Sequence, residues 1–571
     1  MFGPGSRERA MRRFVVVAVM LGFGLLLAGA APAAVWTGAG LNNLWSNDAN
    51  WSTTHPDAVD AVADFTANTT NNTIDLTGGF TVGTVIFGLN SSAGNQWFLD
   101  NFMSSNVLTL SVSSGTPTIN VADAAVTGTI YATVGGTQGF TKTGSGTLVL
   151  ENTSNTFSGN VSITAGTLRL SADGALGNAA NGVTIDGGTL QAWLGFTTSR
   201  TITLGTGSNT IDVNSGNLQF DGAVGGSGGF TKTGFGTLVL NATNSFAGAV
   251  AVNQGTVAFS NVAQMGDGSV TNTITLNGGT LQWTGGTDQD LGLNRVVTLG
   301  ASGGTIQTTG TGVLTIDSAL AGSGNLTKNG TGTLRLTADN SLYTGEITIW
   351  DGRVRFVGAT AWHGGNVSLQ NGIVESNTDI IRPLGAGAGQ IQVGFGGTAG
   401  FTAVGTAINV NFNNDGSTVV WGSSYFSPST LVLNASGADQ TLTLVNALDL
   451  NSFGDRTINV AANTAVITGV ISNTGGSGGI VKTGPGTVVI GSGASDTNAI
   501  GWTGQTVVSA GTLTIDKAAG TAGTSNSVLV NGGTLNVLRS NLLPADTVLT
   551  ITSGDINWNN ADFSLASVTM S

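Results

Sequence analysis

The chain has 571 residues, 90 of them glycine, with no cysteine, 9% charged residues and a formal charge of −13. An apolar share of 40% excludes a disordered chain, because disordered chains are poor in apolar and β-branched residues. The absence of cysteine excludes disulfide staples, and the acidic balance argues against nucleic acid or anionic lipid as partners.

Taken in chain order, residues 1–33 read as a secretory signal. Arg7, Arg9, Arg12 and Arg13 make a basic start, Phe14 to Ala28 is an apolar and glycine run, and Ala31-Pro32-Ala33 is a small-x-small cleavage site. A retained signal anchor is the alternative. Cleavage removes four arginines and Glu8, which leaves 14 basic and 30 acidic residues, a net −16. No later run approaches the ~18 apolar residues of a spanning helix, so no membrane-spanning segment is expected in the mature chain. Residues 34–135 are rich in Trp and Asn, and are expected to form an N-terminal cap and first irregular coils. Trp36, Trp45, Trp51 and Trp97 are its expected apolar plug.

Residues 136–377 hold three copies of one unit, and residues 479–571 hold a fourth followed by final coils. The first copy reads Gly139-Phe-Thr-Lys-Thr-Gly-Ser-Gly-Thr-Leu-Val-Leu150, and the others run over 229–240, 324–336 and 479–490. Each has a leading glycine (Gly139, Gly229, Gly324, Gly479) and a lysine (Lys142, Lys232, Lys328, Lys482). A second glycine precedes the strand (Gly146, Gly236, Gly332, Gly486). In the first three copies an alternating apolar pair follows: Leu148 and Leu150, then Leu238 and Leu240, then Leu334 and Leu336. A second Gly-x-apolar step comes at Gly166, Gly255, Gly352 and Gly511. Four of the chain's five lysines fall in this one slot, which chance does not arrange. Residues 378–478 keep strand-like runs such as Gln390-Ile-Gln-Val393, and read as degenerate coils with insertions.

Glycine-led steps recur mostly every 19 to 28 residues, with 20 the commonest spacing. Each opens a run that alternates at period two, the pattern of a strand with one buried face. A unit of about twenty residues with a strand at constant phase is the period of a solenoid coil. The expected fold is therefore all-β, a parallel β-helix (β-solenoid) with an N-terminal capping region, about two dozen coils and ~100 Å long. A string of sandwiches would need independent hairpins, whereas the Asn-Gly pairs here keep phase with the coil period.

The Lys-Thr-Gly-x-Gly-Thr-Leu-Val-Leu pattern, followed by Phe-Ser-Gly and a second Gly-Thr-Leu-x-Leu, resembles the autotransporter-associated β-strand repeat, or passenger-associated transport repeat. The opening from Trp36 to Trp51 is similar to the start of large exported proteins carrying it. The resemblance implies a right-handed helix, export across the outer membrane with the help of outer-membrane machinery, and repeats that support folding outside the cell. In that family a C-terminal membrane barrel follows. Here one or two coils follow Val537 before Ser571, so the expectation is a truncated passenger or another export route.

Chemistry is sparse. Glu151, Glu346 and Glu375 are scattered in sequence. The clusters Asp57, Asp60 and Asp64, and Asp288 and Asp290, read as solvated turns, and His55 and His363 have no partner at metal-ligand spacing. No catalytic, cofactor or metal residue is expected. The four lysines read as solvated coil corners that blunt lateral association, with a basic ladder for an anionic glycan as the alternative. Trp193, Trp283, Trp350, Trp362, Trp421 and Trp502 are spread across coils, with core packing favoured over sugar stacking. The expected function is a non-enzymatic exported passenger at the cell surface or outside the cell, a stalk or adhesin that meets surface glycans or other cells. The alternative is a polysaccharide-acting or glycan-binding β-helix.

Overall fold

The computed structural model describes residues 32–67, 72–100, 106–498, 500–518, 527–559 and 564–570. The secretory-signal reading of residues 1–33, with Ala31, lies outside these except for Pro32 and Ala33, both exposed. The fold is a parallel β-solenoid of about 22 turns with almost no helix. No helix among the described residues is long and apolar enough to cross a membrane.

Coil-to-coil pairing puts like on like. Thr147–Leu150 pairs in register with Thr167–Leu170, so that Leu148 sits on Leu168 and Leu150 on Leu170. The next coil continues the stack with Leu190 on Leu168. The second copy sets Leu238 against Val257 and Leu240 against Phe259. The third sets Leu334 against Val354 and Leu336 against Phe356. These inward residues are buried to 2% exposure or less, as their alternation predicts. A strand of alternating phase stacked in parallel delivers one unbroken apolar column to the interior.

Over residues 183–220 the chain visits three ladders in rotation. Val183–Ile185, Thr189–Ala192 and Phe196–Thr198 are followed by Ile202–Leu204, Thr210–Val213 and Asn217–Phe220. We call these the first, second and third ladders, with nine, twelve and eleven strands; a fourth begins at Gln289–Asp290, and a fifth, from Ile408–Val410, joins it at the long strand Ser527–Val537.

The repeat copies do not share one face. Copy one places its strands in the first and second ladders, and copy two in the second and third. Copy three uses the third and fourth, and copy four the fourth and fifth. Each copy follows the last strand of a ladder that then stops: Thr133–Gly135, Val224–Gly225, Ala321–Gly322 and Ile471–Ser472. A repeat is thus a stretch of two-stranded coils in which one side of the solenoid is handed over to a loop.

Two devices close the vacated side. A ring fills the core where a strand is missing: Phe157, Phe246, Tyr343 and Trp502 are each at 1% exposure or less. Phe157 meets Phe140 edge-on at 5.6 Å between centroids, and Phe246 meets Phe230 in the same way at 5.6 Å. An asparagine then caps the stopped strand. Asn155 accepts from the Val134 amide and donates to the Ala175 carbonyl, both at 2.8 Å. Asn244 repeats this with Val224 and Gln264, and Asn340 with Leu320 and Ala361. The unpaired amide of a ladder end is satisfied rather than left open.

The Trp-rich start is already part of the coil stack, since Ala34–Val35 pairs in parallel with Val62–Phe65. Trp36, Trp45 and Trp51 pack with their ring centroids 5.5–6.2 Å from that of Phe65, and all four rings are at 5% exposure or less.

Candidate functional site

The feature that the sequence singles out most sharply is the repeat corner, and there the structure corrects the expectation. Lys142, Lys232, Lys328 and Lys482 are neither solvated corners nor a surface ladder: they are 0–1% exposed. Each occupies an inward position in a column of aliphatic residues. Lys142 stacks between Ile119 and Ile163, and Lys232 between Ile211 and Val252. Lys328 lies between Ile306 and Ile349, and Lys482 between Ile458 and Val508. The four-carbon stem packs as an aliphatic chain and carries the ammonium to the corner.

There the ammonium meets three backbone carbonyls, one for each N–H it can donate. Lys232 Nζ donates to Thr233 O at 2.6 Å, Gly234 O at 2.8 Å and Gln254 O at 3.3 Å. Lys142 bonds Thr143, Gly144 and Ala165 at 2.8, 2.9 and 3.2 Å. Lys328 bonds Asn329, Gly330 and Asp351, and Lys482 bonds Thr483, Gly484 and Ala510. Two acceptors belong to the lysine's own corner and the third to the next coil. The side chain is a clip between coils.

The neighbouring glycines follow from this geometry. Gly234 turns the corner at φ +71°, in the left-handed region, which aims its carbonyl at the ammonium. Gly255, one coil on, has φ +65°, and a Cβ there would lie 2.4 Å from the Gly234 and Gly236 oxygens and 2.9 Å from Lys232 Nζ. Side chains are shut out because the backbones of two coils and an ammonium share that space.

Burial pushes each ammonium below its ordinary range, to about 8 for Lys142, Lys232 and Lys482 and to about 7 for Lys328. The carbonyl cage opposes the shift, since it bonds the charged form.

Some of the acids differ from their sequence reading, while Asp57, Asp60 and Asp288 stay exposed outside the strands as expected. Glu375 is 1% exposed and bridges Arg353 Nη1 at 2.8 Å and Arg355 Nε at 2.7 Å, arginines one coil away. Asp64 lies in the strand Val62–Phe65 and Asp290 in Gln289–Asp290, so neither is in a turn. Asp57 and Asp60 accept backbone amides of Thr81 and Ser113 from other coils, and Asp288 that of Val313. Lys517 and Asp496, each 1% exposed, form a buried pair at 3.0 Å. His363 is 2% exposed with Nε2 3.0 Å from Asn366 O, and burial, then the neighbouring Arg382, pushes it down to about 4. Among the described residues no group of three or more His, Cys, Asp or Glu side chains could hold a metal ion.

Of the tryptophans, Trp283, Trp421 and Trp502 are buried, while Trp193 and Trp350 are 43% and 57% exposed. Trp362 stacks on Phe356 at 4.2 Å.

Residues 140–170, 230–259, 326–356 and 480–515 match the passenger-associated transport repeat. The chain is 34% identical over 262 residues to the adhesin BmaC autotransporter of Brucella suis biovar 1 (strain 1330), an alignment covering 41% of this chain and 8% of that protein. The chain thus spans under a tenth of the relative it matches. No solved structure matches it.

Proposed function

We propose that this chain, a β-solenoid built on four passenger-associated transport repeats, is a length of exported passenger that stands on the cell surface as a non-enzymatic stalk or adhesin. The observation that carries the reading is the repeat itself, found four times with the same lysine clip at each corner. The likeness to a protein named as an autotransporter adhesin supports it. The buried acids support a non-enzymatic role, because Glu375 and Asp496 are spent on basic partners inside the fold.

On this reading residues 1–33 direct export, residues 34–135 cap the rod, and the outer-membrane machinery delivers it. The solenoid, ~100 Å long at ~4.8 Å per coil, holds whatever binds at a distance from the membrane. Its partners are surface glycans or other cells.

The test is display of residues 34–571 on a non-adherent bacterium, fused to an unrelated outer-membrane barrel. The expected outcome is retention on epithelial monolayers well above cells displaying the barrel alone. No gain in retention, together with depolymerisation of a polysaccharide panel by the purified chain, would overturn the reading in favour of an enzyme.

A further inference from the structure

We infer that the corner bearing Trp350 is a binding subsite for a neutral saccharide. This deepens the adhesin reading and rests on it for its biological setting, though not for its chemistry. The corner opens as a groove of about 490 Å³, lined by Asn329, Trp350, Asp351, Gln370 and Asn371 and by the backbone of Gly396 and Gly397. Asn329, Trp350 and Gln370 follow one another on successive coils, because Lys328 pairs with Ile349 and Ile349 with Leu369. The groove exists because the following coil passes this corner as Gly396-Gly397, which brings no side chain to cover the indole.

The indole is largely exposed, and no ring or cation is stacked on it among the described residues. Trp350 is 57% exposed, while the other exposed tryptophan among the described residues, Trp193, has its face covered by the Arg169 guanidinium at 4.5 Å. An uncovered indole on a rigid strand end is a flat apolar platform with a polar edge. Around it the polar side chains are held in place but only partly used. Asn329 Oδ1 accepts from the Gly330 amide, Asp351 Oδ1 from Gly352 and Asn371 Oδ1 from Thr398. Gln370 Nε2 donates to Ser368 Oγ at 3.0 Å. These bonds fix the groups and leave the Asn329 and Asn371 amide nitrogens, the second Asp351 oxygen and the Gln370 carbonyl to face a ligand. Such a mixture of donors and acceptors beside an apolar face suits a sugar ring, whose hydroxyls both donate and accept around a C–H face.

Charge selects among sugars. Asp351 places a carboxylate in the groove, no basic residue lines it, and Lys328, which donates to the Asp351 carbonyl, is fully buried with its three N–H groups on carbonyls. An acidic or sulfated sugar therefore finds repulsion and no partner, and a neutral hexose or N-acetylhexosamine chain is the ligand that fits.

The test uses the purified chain, residues 34–571, and a panel of lactose, N-acetyllactosamine, mannotriose and chitotriose, with sialyllactose and a sulfated lactose as charged comparators. Ligand-observed NMR reads binding and tryptophan fluorescence locates it. At least one neutral saccharide is expected to bind and to perturb the emission. Trp350→Ala is expected to weaken it by about tenfold or more, the scale of losing a central aromatic contact. Trp350→Phe should retain most of the binding, and Trp193→Ala should leave it unchanged. Trp350 is exposed, so the variants should fold, and circular dichroism checks this. Binding that survives Trp350→Ala, binding confined to the charged sugars, or no neutral saccharide bound would each overturn the proposal. The adhesin reading is judged separately: adhesion that persists in cells displaying Trp350→Ala upholds it whatever the fate of the groove.

Discussion

The ammonium of Lys232 donates to the carbonyl of Gln254 in the following coil, so that one side chain joins two turns of the solenoid. Removing the head while keeping the stem isolates the clip. Lys232→Met leaves the Thr233, Gly234 and Gln254 carbonyls without their donor, while relieving the cost of a buried charge. The net expectation is a loss of about 2–4 kcal/mol, read from urea denaturation, with hydrogen exchange quickening around residues 230–259. Unchanged exchange there would mean that the clip does not join the coils.

The glycine of the next coil is the second half of the clip. Gly255→Ala forces a Cβ to within 2.4 Å of two carbonyl oxygens and should destabilise the same segment by more than the ~1 kcal/mol of left-handed strain alone. Gly292→Ala is the control. Its φ is +86°, yet a Cβ there meets nothing within 4 Å, so strain should be its whole cost. Thermal midpoints of the two variants give the comparison, and equal shifts would remove the steric argument.

The lysine quartet sets a pH dependence of unusual sign. Their folded values, about 7 for Lys328 and about 8 for the other three, lie below the ordinary 10.5. Between the two values the unfolded chain binds more protons than the folded one, so stability rises with pH. The expected unfolding free energy is flat in this contribution below pH 7 and climbs from there towards pH 10.5. Denaturation at fixed ionic strength measures it, and the climb should shrink in Lys328→Met.

His363 gives the acid limb. With a folded value of about 4 against 6.5, it is held neutral, and the unfolded chain gains a proton first as the pH falls. Stability should drop between pH 6.5 and 4, by at most about 3 kcal/mol for that shift. His363→Gln is expected to flatten this window, and an unaltered slope would assign it to other groups.

Much of the coil architecture could be read from spacing. The alternation of Leu148 and Leu150 and the twenty-residue step to Leu168 already imply a parallel stack with one buried face. The same alternation at Leu238 and Leu240, and at Leu334 and Leu336, carries over to the later copies even though these stand on other ladders. The lysine's burial is legible from phase rather than from charge. In Phe140-Thr-Lys142 the lysine stands two positions from a buried phenylalanine, so period two puts it on the same inward side. The pairing of Glu375 with Arg353 and Arg355 was illegible for another reason. Sequence distance says nothing of which residues a coil closure brings together, and twenty positions on a solenoid is one step of ~4.8 Å. The passage of the copies from ladder to ladder was hidden in the same way, since a period measures the length of a turn and not the face on which it starts.

That passage has a mechanical consequence. Because the first, second and third ladders stop where others run on, the solenoid is laminated like timber with staggered lap joints, and among the described residues no seam runs from one end to the other. A crack opened along one sheet by shear or by a tug at the tip reaches a joint where the strand end is tied by Asn155, Asn244 or Asn340. There the tension must pass into sheets that are still whole, and each of these three repeats acts as a crack-stopper in the rod.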